Sequence, residues 1–251
     1  MSDHYYLPDG TPFYEVEGKN GKLRSVNIRD AKAVGAVPSV TTVLNIAAKP
    51  GLINWMLDQA ILAALTLPKR EDESEADYLK RVKQDSKQQG RDAADEGSRI
   101  HDAVENWMKG NKIAPAYQTN AITVESAIRE TFGEHKWVHE EPFAHSMGFG
   151  GKIDLYTRSE LEPSNGIILD IKTKEFSPED DVKRYPEHCI QLAAYAIGLG
   201  IPHARCANVF VSRTYPDQVR IIEWMPDEID QAWEMFTHYL EIWKLTKGVK
   251  Q

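Results

Sequence analysis

Cysteine is scarce in this chain: Cys189 and Cys206 are the only two. They lack a CxxC spacing and cannot on their own build a four-thiolate zinc or iron–sulfur centre. Two reduced, buried thiols are the expected state. No apolar run is long enough to span a bilayer, and the N-terminus lacks a basic segment followed by an apolar one. Both absences point to a cytoplasmic protein without a membrane partner. Positive charge is also short, with 30 Lys and Arg against 38 Asp and Glu and a formal net charge of -8. That balance does not by itself suggest nucleic acid. A local basic groove can nevertheless coexist with an acidic exterior, and a metal site itself needs acidic residues. Internal repeats and low-complexity segments are absent too. What remains is 41% hydrophobic and 27% charged, the make-up of a globular domain. With 251 residues there is room for one large domain, or one with a helical elaboration.

Residues 1 to about 45 read as strand- and turn-rich, with turn signals at Pro8-Asp9-Gly10 and Gly18-Lys19-Asn20-Gly21. The Ser39 to Thr42 cluster caps a short helix carrying Val43, Leu44 and Ile46. A helix over 51–67 has Leu52, Trp55, Met56, Ala60 and Ala63 at helical spacing, and Pro68 stops it. The Trp and Met residues sit mostly at core spacing, which argues against base-stacking platforms. The intensely charged stretch 71–95 reads as a solvated helix. A further helix over 91–108 has an apolar stripe of Ile100, Ala103, Val104 and Trp107. Then come a helix near 120–132, strands at 136–144, 151–157 and 166–172, a helix at 186–199, strands at 204–212 and 218–224, and a helix from Pro226 to Gly248. This order gives an α/β (α+β) core, a central sheet flanked by helices. The expected division is an N-terminal strand, turn and helical elaboration over 1–90, packed on a core over 91–251.

Two strands and a helix carry the chemistry. Gly166 to Lys172 is apolar and β-branched except at Asp170 and Lys172. Strand side chains alternate, so these two project from one face about 7 Å apart, while Ile167, Leu169 and Ile171 enter a core. A carboxylate and an ammonium in such a strand need partners; an exposed edge-strand pair is the plain alternative. Asp154, on the preceding strand, alternates with Ile153 and Leu155 and can face the same side. Two converging carboxylates repel each other unless a cation lies between them. Hard oxygen donors favour Mg²⁺ or Mn²⁺. His101 lies one position off the apolar stripe of its helix, with Gly97 one turn before it and Glu105 one turn after. Glu105 could fix the imidazole or be a ligand itself. Gln191 and Tyr195 share one helix face. Glu140 and Glu141 precede the glycines before Asp154, and one of them could add a ligand or hold a water, or both could sit on an exposed strand end.

Gly97…His101, Gly151-x-x-Asp154, Asp170-x-Lys172 and Gln191-x-x-x-Tyr195, in that order, make the chain resemble the PD-(D/E)XK nuclease superfamily, most closely its RecB-like exonuclease branch. The resemblance covers roughly His101 to Trp224. The stretch Pro38 to Leu44, with Lys49, Pro50 and Trp55, is similar to phage-encoded members. It implies a restriction-endonuclease-like core with a mixed sheet and an N-terminal helical and hairpin elaboration. It implies that Asp154, Asp170, the Ile171 carbonyl and His101 hold the metal. Lys172 would then orient or activate water, with Gln191 and Tyr195 shaping the site. Some relatives carry a four-cysteine iron–sulfur cluster, which this chain cannot build.

The implied activity is exonucleolytic hydrolysis of DNA in phage or bacterial recombination, repair or replication. DNA, single- or double-stranded, is the expected partner, together with an annealing protein or helicase. Lys174, Arg184 and Arg213 are candidate phosphate contacts near the site, with Lys183 and Arg220. Lys80, Arg81, Lys83, Lys87 and Arg91 either decorate a solvated helix or line a DNA channel. Two other readings stay open: an inactive nucleic-acid-binding subunit on the same fold, and a metal-dependent endonuclease.

Overall fold

A computed structural model describes residues 3–249. Its centre is a five-stranded mixed sheet in the order β10-β9-β8-β7-β6, built from β6 (Val138–His145), β7 (Phe149–Arg158), β8 (Gly166–Lys174), β9 (Arg205–Ser212) and β10 (Val219–Trp224). Only β8 and β9 run parallel, joined through α6 (Pro186–Gly198), as a parallel pair requires. The α/β reading with a central mixed sheet therefore holds.

Helices cover both faces of the sheet. On one side, α4 (Glu75–Met108) and α5 (Gln118–Phe132) pack through Ile100, Val104, Val124 and Ile128 onto Leu155, Ile167, Leu169, Ile171 and Val209. On the other, α6 and α7 (Pro226–Lys247) pack through Leu192, Phe236 and Trp243 onto Phe149, Ile153, Tyr156 and Ile168. The alternation of β8 thus sends Ile167, Leu169 and Ile171 to the first layer. Asp170 and Lys172 go to the α6 side.

The N-terminal region belongs to the second layer. β1 (Tyr5–Tyr6) lies between β2 (Pro12–Phe13) and β5 (Val37–Pro38), while β3 (Glu15–Glu17) and β4 (Leu23–Ser25) form a separate hairpin. Tyr5, Val26, Val40, Val43 and Leu44 share one core with Phe149 and Phe236. The expected short helix is α2 (Val40–Leu44), capped by Ser39, whose Oγ accepts from the Thr42 amide at 3.0 Å. The strand-and-turn reading missed α1 (Ile28–Val34). Its signals were an Asn27/Asp30 capping box and a left-handed Gly35.

Two larger corrections concern the charged segment. The helices expected over 71–95 and 91–108 are one helix, α4, and residue 90 lies in its middle. Its first half pairs antiparallel with α3 (Pro50–Thr66), and the turn between them is locked by Arg81, bonded to Glu73 at 2.8 and 2.9 Å and to the Pro68 carbonyl at 2.8 Å. In α3 only Ala63 is fully buried. Trp55 is 36% exposed and Met56 54%, so their spacing did not mean a core. Among the described residues no helix is long and apolar enough to cross a membrane.

Candidate active site

Antiparallel pairing of β7 with β8 runs from Arg158↔Gly166 only as far as Leu155↔Leu169; beyond it β8 continues on β9 alone. The two strands part at Asp154 and Asp170. The Ile171 N–H, freed from the ladder, donates to Asp154 Oδ2 at 2.7 Å. Side-chain alternation also breaks here, because Ile153 packs in the α6–α7 layer and Leu155 in the α4–α5 layer, while Tyr156 returns to the former. Across β6, Glu140 is the one described non-glycine residue in the left-handed region, at φ 54°, and its pairing with Asp154 is missing from the ladder.

α4 supplies His101. Close approach of α4 to β8 needs Gly97, since a Cβ there would lie 2.4 Å from Thr173 Oγ1. His101 Nε2 lies 3.1 Å from Asp154 Oδ2. Donor atoms of His101, Glu140 and Asp154 all fall within 4.8 Å of one another, as do those of His101, Asp102 and Glu105. Glu140 therefore reaches the site, also pairing with Lys152, whereas Glu141 is exposed and belongs to neither group. Glu105 pairs with Lys109. A cavity of about 340 Å³ opens beside His101, lined also by Ser98, Asp102, Ile171, Lys172 and Thr173.

Asp170 is 2% exposed and fully engaged. Its carboxylate accepts from Lys172 Nζ at 2.8–2.9 Å, from Gln191 Nε2 at 3.0 Å and from Asn208 Nδ2 at 2.8 Å. Gln191 accepts from Lys172 through Oε1 at 3.1 Å and donates to Tyr195 Oη at 2.8 Å. Four of the five residues expected to be catalytic thus share one hydrogen-bond network, and Asp154, bonded to His101 and to the Ile171 amide, stands beside it. Burial raises the Asp170 carboxyl above its usual range, beyond what Lys172 restores. Burial pushes Asp154 the same way, but the His101 hydrogen bond, the His101 and Lys172 charges and the Ile171 amide outweigh it and hold it low. His101 and Lys172 both lie above their ordinary values, because the carboxylates overcome the cost of burial.

Sequence reasoning missed Asn208. It is fully buried, accepts from the Trp224 indole at 2.8 Å and passes its amide to Asp170. The signal was a lone amide in the apolar strand Cys206-Ala207-Asn208-Val209-Phe210. Three candidate phosphate contacts have partners inside the chain. Lys174 donates to the Lys183 carbonyl at 2.7 Å and lies over Tyr185, Arg184 pairs with Glu228 at 3.0 Å over Trp224, and Arg213 donates to the Ala93 carbonyl at 3.3 Å. Arg220 donates to the Pro178 carbonyl at 2.9 Å.

No family model matches the chain, and no curated protein matches it. A crystal structure of SSO0001 aligns with a TM-score of 0.30 at 15% identity, over 74% of this chain and 86% of that one. A likeness that low identifies neither a relative nor a function.

Proposed function

We propose that this chain is a divalent-cation-dependent nuclease of the PD-(D/E)XK, RecB-like kind, hydrolysing DNA phosphodiester bonds as an exonuclease. One observation carries the reading: Asp154, Asp170 and Lys172 converge where β7 and β8 part, beside His101, and His101 and Lys172 border an open cavity. Preference for exonuclease over endonuclease, and a place in phage or bacterial DNA recombination, repair or replication, rest on the resemblance of the motifs.

The donor set fits a hard ion. Asp154 and Glu140 offer carboxylate oxygens and His101 an imidazole nitrogen within reach of one another, donors that suit Mg²⁺ or Mn²⁺, and Asp170 would join them by giving up one of its bonds to Lys172, Gln191 or Asn208. When bound, such an ion supplies Lewis acidity toward the phosphate and acidifies water. The chain's own residues do the rest. Lys172 holds its ammonium at the cleft through Asp170 and Gln191, where it donates to the attacking water and to phosphate oxygens as charge develops. Gln191 and Tyr195 fix the lysine and Asp170 against each other. His101 bonded to Asp154 keeps one carboxylate oxygen oriented toward α4. The reaction adds one water across one P–O bond.

The test is release of label from end-labelled linear single- and double-stranded DNA with Mg²⁺, Mn²⁺ or EDTA, comparing wild type with Asp170→Asn and Lys172→Ala. Asn preserves the size of Asp170 and most of its contacts. Metal-dependent release by wild type and a loss of at least about a hundredfold in both variants are expected. Absence of hydrolysis by folded wild type with either metal overturns the proposal and favours a binding subunit. Cleavage of closed circular DNA would mark an endonuclease.

A further inference from the structure

The unpaired cations of α4 share a face, which Asp95 and Asp102 flank and Glu105 joins toward the His101 end. At about 100° per residue, Lys80, Lys83, Lys87 and Arg91 fall within an arc of about 80° that also holds Ser98 and His101. Asp85 and Asp92 lie roughly 100° or more beyond its edge. All four cations are exposed, and among the described residues none makes a salt bridge or side-chain hydrogen bond. Their neighbours Arg81 and Arg99, off the stripe, are paired with Glu73 and Glu96. At a rise of ~1.5 Å per residue the stripe begins about 30 Å from His101 and reaches within about 15 Å of it at Arg91. Lys80, Lys83 and Lys87 line a shallow trough of about 530 Å³, and the same face of the helix continues into the cavity at Ser98 and His101.

The neighbouring helix supplies the opposite chemistry. Trp55 packs on α4 at Gly90, its ring 3.5 Å from where a Cβ would stand, and remains partly exposed beside the stripe. On its face α3 carries exposed Leu62 and Asp58, with exposed Met56, Leu57 and Ile61 about 100–160° around the helix, and residues 50–66 contain no Lys or Arg. A row of free cations beside an aromatic and apolar surface, whose one charged residue is Asp58, matches a strand with phosphates on one side and unstacked bases on the other. A duplex keeps its bases stacked inside and has no use for the apolar flank.

We propose that the α4 stripe and the Trp55 flank bind a single nucleic-acid strand and lead it to the cleft. The destination rests on the nuclease reading; the binding does not. Fluorescence anisotropy on the full chain in EDTA keeps hydrolysis out of the measurement. The probe is an oligothymidylate of about 20 nucleotides, longer than one short binding site, with a tetranucleotide and a duplex of the same length as comparisons. Replacing Lys80, Lys83 and Lys87 together with Ala is expected to lower the slope of log K against log salt by about 2, at ~0.7 per phosphate contact. That corresponds to roughly a hundredfold weaker binding near 0.1 M salt. The triple Lys→Arg variant retains wild-type binding, and Trp55→Ala weakens the single strand about tenfold without weakening the duplex.

An Ala variant with unchanged affinity and slope overturns the proposal, as does equal wild-type affinity for duplex and strand. A Trp55→Ala variant that alters only the oligomeric state overturns it in favour of a protein contact on α3. Normal hydrolysis with an inert stripe would leave the nuclease reading standing. A stripe-dependent binder without hydrolysis would do the reverse.

Discussion

Asp170 depends on its partner on the next strand, Asn208 of β9. Asn208 accepts from the Trp224 indole and donates to Asp170, so it links the core under β10 to the site. Asn208→Leu leaves the Trp224 indole buried and unpaired, at a cost of about 1–3 kcal/mol, and takes one of three partners from Asp170. The variant is expected to lose several degrees in Tm, and its hydrolysis rate should fall with KM for DNA little changed, because Asn208 positions Asp170 without touching substrate. An unshifted melting curve, or a change confined to KM, would remove that role. Much of the site was legible in the sequence because charge in an apolar strand is conspicuous: Asp170 and Lys172 could be read from alternation alone. Asn208 was less visible, since a neutral amide disturbs hydropathy little. Glu140 and Glu141 could both be named, but not which of them reaches the site, because the arrival of Glu140 depends on a left-handed backbone and a broken ladder pair that spacing does not encode.

At the scale of elements, the α4–β8 contact decides where His101 stands. In an ordinary helix interior Gly→Ala stabilises by about 1 kcal/mol. At position 97 the added methyl meets Thr173 Oγ1, a collision of the kind that costs about 1–3 kcal/mol. Gly97→Ala should therefore destabilise and impair hydrolysis. Thr173→Ala in the same chain should restore stability, a sign reversal that denaturant melts of the double-mutant cycle would detect. The α3–α4 turn answers to pH instead. Glu73 is held down to about 2 by its hydrogen bonds to Arg81, below its usual 4.5. A depressed carboxyl gives its support in full above the unfolded value and loses it as pH falls toward 2. Protection of the turn amides, taken against the intrinsic exchange rate at each pH, should fall from pH 4.5 downward, and Glu73→Gln should flatten that dependence. The strands and helices of residues 118–248 were readable because hydrophobic period and turn residues agree there. In the hairpin both helices were readable, but the exposure of α3 was not, because it has the period of a buried helix while standing in solvent, nor the continuity of α4, which the run of charge hid.

For the molecule as a whole, the N-terminal 90 residues contain two parts with opposite dependence on the core. Residues 5–44 share buried side chains with the β7 and α7 layer, and β1 and β5 lie against β7 through a bridge between Ser39 and Gly150. Removing them would strip cover from Phe149, Ile153 and Phe236, apolar surface whose burial is worth roughly 1.5–3 kcal/mol per side chain. The hairpin tip is different: α3 packs chiefly on α4, and within residues 52–88 only Val82 and Ala63 are fully buried. Replacing 52–88 by a short Gly-Ser linker keeps Gly90, Gly97 and His101 on the remaining helix and leaves both core clusters covered. That chain should stay folded with a sharp thermal transition, while a chain lacking residues 1–45 should not. Because the deletion also removes Lys80, Lys83, Lys87 and Trp55, it separates fold from strand capture. The shortened protein should hydrolyse a short oligonucleotide but lose the gain that a longer strand gives the full chain. A shortened protein that unfolds would show that the hairpin is part of the cooperative core, and one that keeps the full length dependence would show that strands reach the cleft by another route.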